Sequence, residues 1–265
     1  MPPPDLEIRP SIDREWLEGE SRKDPFLHAY ALWDLDQYPD RVRFVSAVRG
    51  TATLGYLLVW PLAGGGTVVH WVGPEGESEA LIEHLPPRPL VVVCAEGAGP
   101  AVERARGPAV THPLLLEAAP PGAPPPAGPL DERVRRLSSA ERPLLDVFAR
   151  RQTDAIATGY VGTDPGQEPV WAGFLEGEIV ALARPAVRLP HLWFVGGVYV
   201  APEVRNQGWG RAVVRAVMVE ATRAAARCAL YVREESAPAR ALYERLGYRP
   251  VARRLMVDAG LHRVP

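Results

Sequence analysis

The apolar residues of this chain fall in short runs broken by glycine, proline and charge, and the runs come in two similar sets. In the first half, DPFLHAYALWDL has Asp24 where a helix N-cap belongs and Pro25 at the first helical position, so the pattern predicts a helix starting there. RVRFVSAV and TLGYLLVW flank Arg49-Gly50-Thr51 and read as a hairpin, and TVVHWVG follows as a further strand. ESEALIEHL reads as helix, PLVVVCA as a short buried strand, GPAVERAR as helix, and the apolar run HPLLLEAA closes the half.

The second half repeats that order. VRRL is a short strand, and Ser138 with Glu141 forms a capping box for a helix reaching about Arg150. VWAGFLEGEIVALARPAV reads as a hairpin turning at Glu176-Gly177, and HLWFVGGVYV as the next strand. GRAVVRAVMVEATRAAAR is an alanine-rich helix with apolar residues on more than one face, hence well buried. CALYV is a strand, Pro238 to Leu246 a helix stopped by Gly247, and YRPVARRLMV the last strand. The expected fold class is α/β, an α+β arrangement with a mixed sheet.

Between the halves stands APPGAPPPAGP, Ala119 to Pro129. Its six prolines cannot donate backbone hydrogen bonds. The segment reads as a linker between domains of residues 1–118 and 130–265. The 265 residues suit two domains of roughly 130 residues each. Apolar residues make up 47% and charged ones 23%, enough for cores without disulfides. A formal net charge of −2 argues against a nucleic-acid or anionic-membrane binder. Cys94 and Cys228 sit in apolar runs without metal-ligand spacing, so no metal is expected. With neither a signal sequence nor a membrane-length apolar run, a soluble cytoplasmic protein is expected.

The candidate chemistry lies in RNQGWG, Arg205 to Gly210, between the strand ending in Val198-Tyr199-Val200 and the alanine-rich helix. The first turn of a helix has unpaired N–H groups and a partial positive charge. Gly208 and Gly210 remove the Cβ atoms that would keep a phosphate away, and Arg211 adds a cation in the same turn. The spacing fits neither the P-loop nor the dinucleotide fingerprint. Taken alone it is as compatible with a plain strand-to-helix turn as with an anion site.

Two motifs in order change that balance. VAPEVRNQGWGRAVVRAV followed by LYVREESAPARALYERLGYRPV resembles the GCN5-related N-acetyltransferase (GNAT) superfamily. Arg205, Gly208 and Gly210 match its Arg/Gln-x-x-Gly-x-Gly/Ala acyl-CoA motif. Leu242-Tyr243 and Leu246-Gly247-Tyr248 match its usual ending. The resemblance spans about residues 130 to 258, and the first half looks more loosely like a degenerate GNAT-like domain of the two-domain glycine N-acyltransferase group.

The resemblance implies acetyl-CoA as acyl donor, without a metal, and a small-molecule or peptide amine as acceptor. Val198, Tyr199 and Val200 would line the pantetheine arm. The amides of Asn206, Gln207, Gly208, Trp209, Gly210 and Arg211, with Arg205, would hold the pyrophosphate. Ser236 stands where relatives often have a cofactor-contacting asparagine, and Tyr243 where a tyrosine commonly protonates the leaving thiolate. Read without the resemblance, Tyr243 shares a helical face with Ala239, Leu242 and Leu246, as a core tyrosine would.

The general base is open. Two positions that hold glutamates in relatives are Phe194 and Tyr231 here, so His191, Glu234 and Glu235 remain as candidates. The first half has GPEGESEAL where a cradle would lie, and Glu75, Glu77 and Glu79 would repel a pyrophosphate. Cofactor binding is therefore expected in the second half alone. A non-catalytic acyl-CoA-binding module and a nucleotide-phosphate binder are the alternatives, and the acceptor, acyl length and a homodimer stay open.

Overall fold

The structure is a computed structural model describing residues 5–62, 65–74, 76–124, 127–152 and 159–261. Its chain divides into two compact units. The first comprises Met1–Leu115, Arg233–Glu235 and Ala252–Pro265, and the second Leu116–Val232 and Ser236–Val251.

In the first unit, β1 (Leu6–Arg9) precedes helices α1 (Arg14–Lys23) and α2 (Ala29–Gln37). Strands β2 (Arg43–Arg49), β3 (Ala52–Pro61), β4 (Thr67–Val72) and β5 (Leu90–Cys94) then alternate with a 3-10 turn at Glu79–His84 and helix α3 (Gly99–Arg106). Strand β6 (Val110–Ala118) ends the half. β1 to β4 pair antiparallel in turn, and β4 and β5 pair parallel from Thr67↔Leu90 to His70↔Val93. β3 buries both faces: Tyr56 and Leu58 join Leu17, Ala31 and Phe44, while Leu57 and Val59 join Leu81, Val92 and Val102.

Two elements went unread and two expectations are corrected here. α1 and β1 carry too few apolar positions for the pattern to expose them; α1 buries only Leu17 and Ser21. The helix expected from Asp24 starts at Ala29, because Asp24 caps the end of α1 and its carboxylate closes a turn by accepting from Phe26 N (3.1 Å) and Leu27 N (3.0 Å). ESEALIEHL forms a 3-10 turn instead of an α-helix, ending at Leu85, whose extended ψ of 140° suits a residue before proline.

In the second unit, β7 (Val134–Arg136) leads into a capping box in which Ser138 and Glu141 bond reciprocally, then α4 (Arg142–Arg150). β8 (Trp171–Leu175) and β9 (Glu178–Leu189) form the expected hairpin, turning through Glu176 (φ 52°) and Gly177 (φ 86°). β10 (Leu192–Val200), α5 (Trp209–Arg223), β11 (Arg227–Arg233), α6 (Ala237–Arg245) and β12 (Arg249–Ala259) complete the chain. The strand order is β11-β10-β9-β8-β7. α5 covers it with Trp209, Val213, Val214, Val217 and Ala221 buried.

Two strands divide between the units. The end of β6 lies in the second unit, where Ala119 N donates to Cys228 O at 2.9 Å. Leu255 to Ala259 of β12 lies in the first unit, antiparallel to β5. A cut at the proline-rich segment therefore does not separate the units, since pairing, not sequence position, decides where a strand's hydrogen bonds go. Among the described residues no helix is long and apolar enough to cross a membrane.

Candidate active site

The site begins with how β10 ends. β10 and β11 pair parallel only through Leu192↔Arg227, Trp193↔Cys228 and Phe194↔Ala229, while β10 runs on to Val200. Register shifts at Phe194/Val195 and Gly196/Tyr199 make its pairing with β9 irregular at the same place, although that pairing continues to Val200↔Ala181. The segment Val195–Val200 thus leaves β11 and exposes a strand edge. Tyr199 is 5% exposed, and its hydroxyl donates to Gln152 Oε1 at 2.7 Å. Along the segment, Gly197 O accepts from Tyr160 Oη (2.6 Å) and Val200 O from Arg205 Nε (3.2 Å). The motif arginine therefore ties its loop to the strand end.

A 3-10 turn at Pro202–Val204 then carries the chain to Asn206 (φ 64°) and Gly208 (φ 89°), both left-handed. Asparagine and glycine are the residues that tolerate this region. Gly208 caps α5, and the first intrahelical bond runs from Ala212 N to Gly208 O at 3.0 Å. The amides of Trp209, Gly210 and Arg211 therefore have no partner within the helix. A Cβ on Gly208 would meet nothing within 4 Å, so the cradle is open there. Gly210 is bare for another reason. Its Cβ would lie 2.9 Å from Leu242 Cδ1, so it lets α6 pack on α5. Trp209 turns its side chain inward, 1% exposed, leaving only its amide for the loop. Arg205, Asn206, Gln207 and Arg211 are exposed around the opening.

A cleft of about 1370 Å³ adjoins Gln207, Gly208 and Arg211 and continues to Arg215, Arg245 and Arg249. Asp131 is the only carboxylate among the described residues lining it, and it is paired with Arg133 at 2.8 Å. Its charge suits a phosphate-rich ligand.

On α6, Ser236 is the N-cap, and its hydroxyl makes no capping bond. Tyr243 is 7% exposed with its ring 5.8 Å from Tyr248, and burial pushes its phenol up to about 12, with Glu117 adding to the rise. At neutral pH it holds its proton and can act as a donor.

The base candidates fare differently. Phe194 and Tyr231 come together with ring centroids 5.5 Å apart, an aromatic pair that supplies no carboxylate. His191 lies in the turn before β10, at the paired end of β10 and β11, and lines the same cleft as Gln207, Gly208 and Arg211. Glu234 is bonded to Arg253, and Glu235 to His112 at 2.8 Å; all four belong to the first unit. Sequence reasoning passed over Glu117, a carboxylate 4% exposed inside an apolar strand, whose only signal was its place in HPLLLEAA.

Among its described residues, the first unit lacks the corresponding opening. After β4, a Cβ on Gly73 would lie 2.8 Å from Ser78 Cβ, and Ser78 Oγ bonds to Pro74 O (2.8 Å) and accepts from Trp71 Nε1 (3.1 Å). The cavity lined by these residues holds about 40 Å³. No α-helix starts there, so there are few aligned amides. Glu75 lies outside the described residues.

Residues 133–248 match the model of the Acetyltransferase (GNAT) family. No curated protein matches the chain. Among solved structures, a Drosophila protein is 16% identical with a TM-score of 0.70, over 95% of this chain and 97% of that one. A tandem GNAT protein from the clavulanic acid biosynthesis pathway is 16% identical with a TM-score of 0.59, over 96% and 99%. A GCN5-related N-acetyltransferase from Sphaerobacter thermophilus is 16% identical with a TM-score of 0.58, over 97% and 96%. The fold likeness thus extends over both halves, while the family match falls on the half with the open cradle. Residues 133–248 are therefore an acetyltransferase domain of the GNAT family, a transferase that takes its acyl group from acyl-CoA.

Proposed function

We propose that the protein transfers an acetyl group from acetyl-CoA to a primary amine, on a small molecule or a peptide, by direct attack. The observation carrying this reading is the parting of β10 from β11 after Phe194 together with the open turn at Gly208. Acetyl-CoA would supply the activated acyl group as a thioester. Val198 to Val200 would line its pantetheine arm, and the amides of residues 206 to 211 with Arg205 its pyrophosphate. The arginines of the cleft would neutralise the remaining phosphate charge. Holding amine and thioester together makes the attack effectively unimolecular. Tyr243 would then give its proton to the departing sulfur.

The first unit, read as a degenerate GNAT-like domain, would shape the acceptor side or a dimer contact without holding cofactor. Its filled cradle supports this. Calorimetric titration with acetyl-CoA is expected to give one site per chain, and two sites of similar affinity would defeat this assignment.

One observation favours a second reading, a non-catalytic acyl-CoA-binding module. It is the Phe194–Tyr231 pair, which supplies no carboxylate. Release of free thiol from acetyl-CoA over a panel of primary amines separates the two. An enzyme is expected to exceed the amine-free rate by at least about 100-fold with one member. Tight acetyl-CoA binding with no amine-dependent release would leave the binding module standing.

A further inference from the structure

The bulge in β10 is held by a buried tyrosine from outside the sheet. Gly196 stands opposite Arg184 and Tyr199 opposite Leu182, so Gly197 and Val198 together face the single Ala183 of β9. Tyr160, between α4 and β8, is fully buried, and its hydroxyl donates to Gly197 O at 2.6 Å. The ring is itself anchored. The Arg184 guanidinium lies over it, 5.0 Å from the centroid, and is tied to Glu168 at 3.2 Å. Two residues after Tyr160, Gly162 N donates to Asp146 Oδ1 of α4 at 2.7 Å. Gly197 has a φ of 59°, and a Cβ on it would overlap Tyr160 Oη. Only glycine permits both that backbone turn and the close approach of the phenol.

We propose that Tyr160 is a positioning residue for acyl transfer, holding the Gly197–Val198 peptide so that the Val198 N–H meets the carbonyl oxygen of the acyl group. This rests on the acetyl-transfer reading above. A trans peptide points its C=O and the following N–H in opposite directions. Fixing Gly197 O on the phenol therefore fixes the Val198 N–H on the side away from Tyr160. In the transfer the amine nitrogen forms a C–N bond to the thioester carbon, and the carbonyl electron pair moves onto oxygen. The pair returns as the C–S bond breaks and the thiolate leaves, and the proton of the attacking nitrogen passes to solvent. A donor already aimed at that oxygen lowers the barrier without having to reorient. Tyr160 touches none of the reacting atoms and acts through the backbone it holds.

A buried phenol needs a partner in any case, and a carbonyl is an ordinary one. The place of this bond is what gives it a role. Gly197 and Val198 belong to the stretch of β10 that has already parted from β11, and the bulge leaves them without one-to-one partners on β9. The next residue is anchored too, since the Tyr199 hydroxyl donates to Gln152 Oε1 at 2.7 Å. Both flanks of the Val198 amide are thus fixed by residues between α4 and β8, where the sheet by itself would leave it loose.

The test joins kinetics to a spectroscopic signature. Tyr160→Phe keeps the ring beneath Arg184 and removes only the bond to Gly197 O. It is expected to lower kcat about ten-fold while the KM for acetyl-CoA stays within about two-fold. The second readout is one that a packing role would not move. Infrared difference spectra of acetyl-CoA labelled with 13C at the carbonyl, taken without amine, are expected to show the thioester C=O stretch at lower frequency on the wild type than in solution. That shift is expected to shrink by at least about half in Tyr160→Phe. Gly197→Ala pushes on the same contact from the other side and is expected to give the same pair of changes; it decides the matter should the phenylalanine variant not fold. A stretch that binding does not lower, or that neither variant moves, overturns the proposal, as does a loss of kcat matched by an equal rise in KM. No amine-dependent thiol release by the wild type would instead remove the acetyl-transfer reading, and the proposal with it.

Discussion

Tyr243→Phe is expected to lower kcat about 100-fold while leaving the Kd for acetyl-CoA within about two-fold. The phenyl ring fills the same space and keeps the 5.8 Å edge contact with Tyr248, so packing between α6 and its sheet is retained. Only the hydroxyl proton is lost. Burial and the nearby Glu117 keep that proton in place across the pH range in which an amine is neutral and nucleophilic, so Tyr243 serves as acid and not as base. Loss confined to kcat marks an interaction made in the transition state alone. Stopped-flow thiol release and calorimetry separate the two quantities. An unchanged kcat would return Tyr243 to the role of a core tyrosine.

Gly208→Val is expected to raise the KM for acetyl-CoA at least ten-fold. Two effects act together. The φ of 89° is left-handed, a conformation that costs an L-residue roughly 1–2 kcal/mol, more when β-branched. The added side chain also projects into open space beside the amides of Trp209, Gly210 and Arg211, where the pyrophosphate is proposed to sit. Because that Cβ would meet no atom within 4 Å, protein packing is undisturbed and the melting temperature should fall by only a few degrees. Gly208→Ala, with the smaller side chain, is expected to give a lesser rise. A Kd for acetyl-CoA unchanged in the valine variant would remove the cradle from this loop.

Much of the fold was legible because local rules and tertiary demand agree. The turn at Glu176-Gly177, the Ser138–Glu141 capping box and the stop at Gly247 each depend on residues within a few positions, and each appears in the structure. Where local and tertiary demands differed, the local reading failed. Asp24 has the chemistry of an N-cap, but α1 claims it first as a C-cap. The first strand and helix escaped notice because their burial comes from neighbours, not from their own periodicity.

For the site, the sequence alone determined which half carries a bare helix entrance, since Arg205, Gly208 and Gly210 stand together only after β10. It also placed a tyrosine on the following helix. Tertiary structure decided the rest. The two glycines proved to have different duties, one open to solvent and one against Leu242. Gly73, a comparable glycine in the first half, faces Ser78 in a filled space. Glu117 shares a unit with Tyr243 because the end of β6 belongs to the second unit. Backbone conformation is set by neighbours in the chain. Open space and a carboxylate's company are set by residues far apart in sequence, which no local pattern can bring together.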